Sequence, residues 1–414
     1  MSALVRIAWR NLWRGWRRSA VVLSAISVGL FASLTLIAWG HGILRQVVDT
    51  AVATRLALLA VHADGYQLDP DVGRSLGGGG RAVADAVERF PGAHASPRVL
   101  GDGLAQSARQ SAHVALVGVE PQREARVSAV GGAIVAGGFP VATPDGVARG
   151  LPGALLGAEL AEQLKVGLGE KIVLHAPGES GLGAFRVSGL FRTASPDFDK
   201  STVFLRTEAA QKLLGVGDRV HEIAISLDDP RRLGELDAFA KAELPRLAGG
   251  EALEIQTWQE REPRLASLID LMSSTGWVAY ATVFAGMAFG IANALLMSVF
   301  ERIREFGVLR SLGLPARRLI ALVLLESCFL TVGGALLGVG LGVAFVKLLE
   351  HYGVSGDAFA GAGALSVGPR VYPRLEASDW VSPLALAVAT AFLAAIWPAV
   401  KAARLRPAEA VRHT

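Results

Sequence analysis

The chain has 414 residues and a net charge of +4 at pH 7; 51% of its residues are hydrophobic and only 19% are charged. With a mean hydropathy of +0.41, this composition argues against a large soluble enzyme and predicts a membrane protein.

Residues 1–18 contain five arginines and no acid, and Trp9, Trp13 and Trp16 recur at helical spacing. Tryptophans at the headgroup level and arginines near anionic lipid are typical of an interfacial helix. We expect residues 1–18 to form a cytoplasmic amphipathic helix on membrane lipid, and a part in a docking surface is compatible with this.

Four runs are long and nearly free of charge, and they predict four transmembrane helices: residues 19–44, 271–300, 319–346 and 380–400. Each has at least about 20 residues, enough to cross roughly 30 Å of hydrocarbon. Glu326 is the one acid inside these runs, and a charge at mid-bilayer costs about 2.5–3.5 kcal/mol. We expect Glu326 to make a structural helix–helix contact, with a proton relay as the alternative.

Basic residues lie on one side of this topology. Residues 1–18 and 301–318 each have five arginines, whereas residues 45–270 have 24 basic and 29 acidic residues. By the positive-inside rule, both termini, the 301–318 segment and the 401–414 tail are cytoplasmic, and residues 45–270 and the 347–379 loop lie outside the plasma (inner) membrane. Because the basic residues flank spans, we expect no nucleic-acid partner.

Residues 45–270 change to short apolar runs that alternate with helical ones. Seven runs have the composition of strands: 56–62, 113–119, 170–176, 184–191, 201–207, 221–227 and 251–258. Four have helical spacing, the last with Asp228 or Asp229 as N-cap: 81–90, 157–166, 208–215 and 229–247. The segments 43–55 and 259–272 are also compatible with helix.

Strand–helix–strand units over 56–106 and 221–258 bracket a strand-rich middle. We therefore expect one subdomain built from both ends and a second inserted at about 107–220. The predicted fold class is an α-helical membrane protein with four transmembrane helices and an α+β extracytoplasmic domain, of two subdomains, inserted between helices 1 and 2.

Motifs for chemistry are missing from the sequence. It contains no GxxxxGK[ST] for nucleotide and no HExxH for zinc. We therefore predict no catalytic residue, no metal site and no cofactor bound by this chain.

The stretch ERIREFGVLRSLG (301–313) is denser in charge than a short membrane loop needs. It has the spacing of a cytoplasmic helix, with Ile303 and Phe306 on one face and Arg304 on another. A simple positive-inside loop is one interpretation. The other is a docking element for a cytoplasmic partner.

This stretch resembles the ER-x-REIG-x-LRALG segment of the FtsX-like (MacB-type) ABC transporter permeases, and especially the lipoprotein-releasing, LolC/LolE-type members. The tail PAVKAARLRPAEAVR is similar to the family's ending, and IAWRNLWRGWRRS resembles its entry segment. LAVHADGYQLDP and LLGAELAEQLKVGLGEKIVL are similar to segments of its outer domain. The resemblance covers nearly the whole chain.

The resemblance implies that two permease subunits, identical or paralogous, pair with a cytoplasmic ABC ATPase dimer that binds ATP and Mg²⁺. It also implies that residues 301–318 form the coupling helix that seats in the ATPase and transmits its motion outward. The implied coupling residues are Glu301, Arg302, Arg304, Glu305, Phe306, Gly307, Leu309, Arg310, Leu312 and Gly313.

The same resemblance implies a hydrophobic, lipoprotein-like cargo that is extracted or exported from the membrane. Lipoprotein and a periplasmic carrier are then further candidate partners, but the link that corresponds to the carrier-binding hook, about 176–185, is short. A cargo cavity is expected between the first and second helices of paired subunits, lined by Val28, Phe31, Ala32, Thr35, Trp39, Trp277, Tyr280, Phe284 and Phe289. The alternative function is an FtsX-like signalling scaffold that activates an extracytoplasmic partner such as a cell-wall hydrolase.

Overall fold

The computed structural model describes residues 2–68, 70–71, 73–140, 150–177, 181–247, 251–355, 370–376 and 379–404. The α-helices are α1 (Ser2–Arg14), α2 (Trp16–Ala51), α3 (Arg81–Val87), α4 (Pro121–Val127), α5 (Ala158–Leu164), α6 (Pro196–Ser201), α7 (Thr207–Leu214), α8 (Leu233–Leu247), α9 (Trp258–Arg261), α10 (Pro263–Glu301), α11 (Ile303–Ser311), α12 (Ala316–Tyr352) and α13 (Val381–Ala403). The strands are β1 (Leu59–Ala63), β2 (Ala93–Gln106), β3 (Ser111–Val119), β4 (Ile134–Gly137), β5 (Gly153–Gly157), β6 (Lys171–His175), β7 (Leu182–Phe191), β8 (Thr202–Arg206), β9 (Glu222–Leu227), β10 (Leu253–Thr257), β11 (Val354–Ser355) and β12 (Arg370–Val371).

Four helices are long and apolar enough to cross a membrane: Trp16–Leu56, which includes a π turn after α2, Pro263–Glu301, Ala316–Tyr352 and Val381–Ala403. They contain the charge-free runs of the sequence and extend beyond them. The extensions include residues 45–51 of α2 and 263–270 of α10.

The chain forms two compact units. The membrane unit consists of the described residues within 1–44, 268–355 and 370–414, and the outer unit of those within 45–267. The core of the membrane unit takes side chains from all four long helices: Val22, Ile26, Leu30, Phe284, Met287, Ile291, Leu295, Leu330, Ala335, Ala387, Ala391 and Ala395.

Glycines bring α2 and α12 into close contact. A Cβ added to Gly338 would lie 2.7 Å from the carbonyl oxygen of Ser27, and one on Gly334 would lie 2.8 Å from the Cβ of Ile26. The hydroxyl of Ser27 donates a hydrogen bond of 3.0 Å to the carbonyl of Gly334. This small-residue row therefore packs two helices of one chain, an arrangement common in membrane bundles.

The outer unit is built on one ten-stranded sheet with the order β10-β1-β9-β2-β3-β8-β5-β7-β4, to which β6 adds by pairing with β2 and β7. Its main core lies between the sheet and the helices α3, α5, α7 and α8. The seven predicted strands and the four predicted helices are all present, and Asp229 is the residue that caps the turn before α8.

Three features of the outer unit differ from the expectation. Strand β1 begins at Leu59 rather than Leu56 because a π turn, Val52–Leu56, follows α2. The strands β2, β4 and β5 have weak sequence signals, since β2 contains Pro97 and β4 and β5 are short and rich in glycine, which lowers strand propensity. The helices α4 and α6 were missed; each begins with a proline, which is favourable at that position.

The link that corresponds to the hook joins β6 and β7, which pair as antiparallel neighbours. The N–H of Ala176 donates a 2.6 Å hydrogen bond to the carbonyl of Gly181, so the chain turns back within this link. Residues 178–180 of the link lie outside the described residues, as do 356–369 and 377–378 of the predicted 347–379 loop and 405–414 of the tail.

Candidate functional site

The segment between the second and third long helices folds as a separate short helix, α11. The backbone of Arg302 leaves helical geometry after α10 ends at Glu301, and α11 begins at Ile303. After α11, Gly313 adopts a φ of 92°, which glycine tolerates without strain. Pro315 then caps α12, where its missing N–H removes no helical hydrogen bond.

The inner face of α11 packs into the membrane unit. Phe306 is only 2% exposed, and its cluster of buried neighbours comes from four other helices: Ala8, Val299, Leu319, Leu322 and Ala402. Arg310 donates a hydrogen bond to the carbonyl of Ala403 at the end of α13. Burying a phenylalanine contributes about 1.5–3 kcal/mol, so α11 is held against the helix ends.

Arg302 connects α11 to the third long helix. Its Nη1 lies 3.1 Å from Oε1 of Glu326, and its Nε lies 2.9 Å from Oε2 of Glu305. The side-chain amide of Asn11 donates a second hydrogen bond, of 2.6 Å, to Glu326. Glu326 is 7% exposed, so the paired guanidinium offsets the cost of burying its charge.

Two further ion pairs join this segment to the N-terminal helices. Arg14 lies 2.9 Å from Glu305 and Arg18 lies 2.7 Å from Glu301. Burial by itself would raise the pKa of Glu305, but the hydrogen bond and charge of Arg302, together with the charges of Arg14 and Arg18, hold this pKa below its ordinary value. These pairs are partly exposed, and each is worth at most about 1 kcal/mol.

The opposite side of α11 is exposed. Val308 is 45% and Leu312 is 78% exposed, and Arg304 and Ser311 are exposed beside them. These four residues follow the spacing of one helix face, which we call the outward face of α11. The outward face therefore combines two exposed apolar side chains with a cation.

The structure therefore divides the predicted coupling residues by location. Buried or half-buried within the chain are Phe306, Gly307 and Leu309; engaged in contacts inside the chain are Glu301, Arg302, Glu305 and Arg310; exposed are Arg304, Leu312 and Gly313. The ten residues therefore have different surroundings within the chain, and their part in coupling stays a prediction.

A cleft of about 30 Å³ lies beside Glu326, between Asn11, Arg18 and Arg302. This volume accommodates about one water molecule, so the cleft is too small for a cargo.

Two family descriptions match the chain. Residues 19–241, more than half of the sequence, match "MacB-like periplasmic core domain", and residues 277–407 match "FtsX-like permease C-terminal". The chain belongs to this family of ABC transporter permeases. Together with its four candidate spans, the match identifies the permease as an inner-membrane protein with a MacB-like periplasmic domain.

Curated relatives agree with this assignment. The permease is 24% identical over 407 residues to "Lipoprotein-releasing system transmembrane protein LolC" of Xylella fastidiosa, covering 95% of this chain and 94% of that one. It is 28% identical to "Macrolide export ATP-binding/permease protein MacB" of Nitrobacter winogradskyi, covering 95% of this chain and 58% of that protein. The crystal structure of the periplasmic region of MacB from Actinobacillus actinomycetemcomitans matches with 13% identity and a TM-score of 0.35, over 53% of this chain and 97% of that one.

The residues predicted to line a cargo cavity differ in their exposure within one subunit of the permease. Val28, Trp277 and Phe289 are exposed. Phe284, by contrast, is buried in the core of the membrane unit, and Phe31 packs 5.2 Å from the ring of Phe345 on α12. The remaining members, Ala32, Thr35, Trp39 and Tyr280, are half-buried.

Four residues that the sequence patterns did not indicate lie beside the predicted coupling residues. Val308 and Ser311 lie on the outward face of α11, Asn11 binds Glu326 and Arg18 binds Glu301. Arg14, one of the arginines of the predicted interfacial helix, pairs with Glu305. Of these residues, only a partner such as Asn11 could be anticipated from the sequence, because a lone acid in a membrane span requires a polar partner. The pairs of Arg14 and Arg18 depend on tertiary packing and carry no local pattern.

Proposed function

We propose that this permease is the membrane subunit of an ATP-driven transporter and that the outward face of α11 binds a separate ATPase subunit. The observation that carries this proposal is the contrast between the two sides of α11. Phe306 anchors one side inside the chain, while Val308 and Leu312 expose apolar surface on the other. ATP and Mg²⁺ would then be bound by the ATPase dimer, and this chain would receive its motion.

The ion pairs support mechanical transmission. Because Phe306 is packed among helix ends and Arg302 is paired with Glu326, α11 cannot be displaced without displacing the adjoining ends of α10 and α12. Such rigid coupling would convert closure of the ATPase pair into movement of the long helices. The termini and α11 would be cytoplasmic, with α1 lying on anionic lipid through its exposed Trp9 and Trp13.

The strand order supports two subdomains in the outer unit. The strands within 107–220, β3 to β8, pair with one another and with the second half of β2, where β3 and β6 lie on opposite edges of Leu104–Gln106; β1, β9 and β10 continue from the first half of β2. Strand β2 pairs with β9 through Ala93–Arg98 and with β3 through Arg98–Gln106, so it belongs to both halves. We therefore place the inserted subdomain at 107–220, within a periplasmic domain that begins after the first span.

We propose a hydrophobic, lipoprotein-like cargo, extracted at the outer leaflet between two permease subunits. The alignment with a lipoprotein-releasing protein over 95% of the chain supports this class. The exposed Val28, Trp277 and Phe289 are the predicted cargo residues that remain available on the surface of one subunit. Phe284 is withdrawn from this set because it packs in the core.

The test is purification of the tagged permease from its native membrane in mild detergent, with mass spectrometry of retained proteins, lipids and lipopeptides. The expected result is an ABC ATPase, a permease subunit and lipidated proteins. A matched sample in which Leu312 is replaced by glutamate should lose the ATPase and keep the permease partner.

Other results would contradict parts of the proposal. Retention of an ATPase with a cell-wall hydrolase and no lipidated species would replace cargo extraction with the signalling function. Absence of any ATPase from the unsubstituted sample would overturn the proposed function itself.

A further inference from the structure

The connection between α2 and β1 contains a strained residue. The chain leaves α2 through the π turn Val52–Leu56, which the N–H of Ala57 closes with a 3.0 Å hydrogen bond to the carbonyl of Val52. Ala57 has φ 57° and ψ 175°, a region that is essentially restricted to glycine. Ala57 is 1% exposed, and its methyl group packs with Val127 and Ala224.

Two arginines bind the carbonyl groups at the end of this turn. Nη1 of Arg98 on β2 lies 3.3 Å from the carbonyl oxygen of Arg55, and Nη1 of Arg261 on α9 lies 2.5 Å from that of Leu56. The last carbonyls of a helix have no partner within the helix, so these guanidinium groups replace the missing donors. They thereby hold the two residues that precede Ala57.

Glu222 on β9 holds both arginines in place. It accepts hydrogen bonds of 3.0 Å from Arg98 and 2.6 Å from Arg261, and one of 3.1 Å from Nε2 of His62. His62, Glu222 and Arg98 lie directly opposite one another on the adjacent strands β1, β9 and β2. Arg98 is also bound bidentately by Glu124 of α4, at 2.7 and 3.1 Å.

The cluster is almost free of solvent and is electrostatically balanced. The residues Arg98, Glu124, Glu222 and His62 are between 0% and 4% exposed. Burial by itself would raise the pKa of Glu222, but the charge of Arg261, the hydrogen bond from His62 and the charge of Arg98 together hold this pKa well below its usual range. Glu222 is therefore ionised and remains bound to both arginines at neutral pH.

The same cluster reaches both segments that continue into long helices. Arg98 binds the end of α2, while Arg261 is the last residue of α9, two positions before α10 begins at Pro263. Glu262 in the intervening position pairs with Arg55 at 2.9 Å. A displacement at the start of α10 must therefore move Arg261 and, with it, the carbonyl that borders Ala57.

We propose that residues 52–57, with Arg98, Glu222 and Arg261, form a strained joint that passes movement of α2 and α10 to the sheet, and that Glu222 is its positioning residue. This inference rests on the proposed mechanical transmission. The strain at Ala57 persists only while the two arginines hold the turn, so the joint has a held state and a relaxed state. Movement of α10 selects between them.

The test uses the complete permease with its co-purified ATPase. Cys328 is replaced by serine, and nitroxide labels are placed at Asp49 and Ala108, which are both exposed. Double electron–electron resonance spectroscopy measures the distance between the two labels with and without ATP and Mg²⁺. The unsubstituted joint should give two distinct distances. Ala57→Gly, which removes the strain, should give one broad distribution and lose the nucleotide-dependent shift.

The matched control is Lys165→Gly. Lys165 has φ 55° and is the other non-glycine residue with positive φ in the described part of the chain, and it follows α5 away from the joint. This control should retain the shift. Glu222→Gln, a second variant that leaves Ala57 intact, should weaken the shift by loosening both arginines.

The outcomes separate the two proposals. If the unsubstituted complex shows no shift with ATP, mechanical transmission fails and the joint fails with it. If the shift occurs and survives Ala57→Gly, the joint is overturned and the proposed function stands. Loss of the shift in Lys165→Gly as well would make the effect nonspecific and would also overturn the joint.

Discussion

Arg302 and Glu326 form an ion pair 3.1 Å apart that joins the residue preceding α11 to the buried interior of α12. Asn11 of α1 completes the hydrogen bonding of the carboxylate at 2.6 Å. The acid inside the third span is therefore a contact between helices on which the position of α11 depends.

The ion pair predicts strong coupling between these two residues. Glu326→Gln and Arg302→Gln should each lower the thermal stability of the purified permease, because each leaves a buried charge without its partner. In the double variant the loss of stability should be smaller than the sum of the two single losses by about 1–3 kcal/mol. Thermal unfolding of the four proteins in one detergent measures this. Arg18→Gln, at the partly exposed pair with Glu301, is the control and should cost at most about 1 kcal/mol. Additive losses at Arg302 and Glu326 would contradict the prediction.

The outward face of α11 predicts selective loss of the ATPase. Leu312→Glu places a charge on an apolar contact and should abolish ATPase retention, while the thermal stability of the permease changes little because Leu312 is 78% exposed. Phe306→Ala should instead destabilise the membrane unit by about 3–5 kcal/mol. Leu168→Glu makes the same chemical change at an exposed leucine of the outer unit and should retain the ATPase. Equal ATPase retention by Leu312→Glu and Leu168→Glu would argue against the docking face.

The glycine row predicts a position-dependent effect along α12. Gly338→Ala should lower thermal stability by about 1–3 kcal/mol, since its methyl group would meet Ser27 and Leu30 at 2.7–2.9 Å. Gly340→Ala makes the same substitution in the same helix, but nothing lies within 4 Å of the added Cβ. The second variant should be neutral or more stable, because alanine favours helix. Similar losses in both variants would contradict the described packing.

Sequence patterns predict the long helices well, but they do not predict which face of α11 packs inward. Uncharged runs such as 19–44 must be helical in a bilayer because their backbone groups find partners only within the segment. Phe306 and Leu312 are both apolar and both fit a helix, but only the packing of α11 against Ala8, Leu319 and Ala402 determines that Phe306 points inward. Those contacts join residues far apart in sequence.

The joint in the outer unit was not predictable either. An alanine at positive φ has no sequence signature, since its conformation is imposed by the surroundings. Likewise, Arg98 is an ordinary charged residue in a segment interrupted by Pro97, and its burial depends on pairing with Glu124 and Glu222 from other elements. The alternation of apolar residues that predicted β9 carries no information about these partners.

The low pKa of Glu222 predicts acid sensitivity of the outer unit. A carboxyl whose folded pKa lies below its ordinary value of 4.5 stabilises the fold fully above about pH 4.5, and this contribution is lost as the pH falls toward the folded pKa. The charges that face it are Arg98 and Arg261, with His62 as the third donor. Unfolding followed between pH 7 and pH 3 should show decreasing stability.

Glu222→Gln tests the origin of this acid sensitivity. It should cost about 3–5 kcal/mol at pH 7, because both arginines lose their shared counter-charge, and it should flatten the decline below pH 4.5. Glu235→Gln, at an exposed pair with Arg232, should leave the decline unchanged. An unchanged decline in Glu222→Gln would assign the acid sensitivity to other carboxyl groups.

The most direct test of the proposed function is photocrosslinking in native membranes, with a photoreactive amino acid replacing Leu312. The predicted result is a covalent adduct with an ABC ATPase, formed at Leu312 and absent when the same group replaces Leu168. An adduct with lipid alone, or with a protein that is not an ATPase, would contradict the claim that the outward face of α11 is where this permease receives the motion driven by ATP.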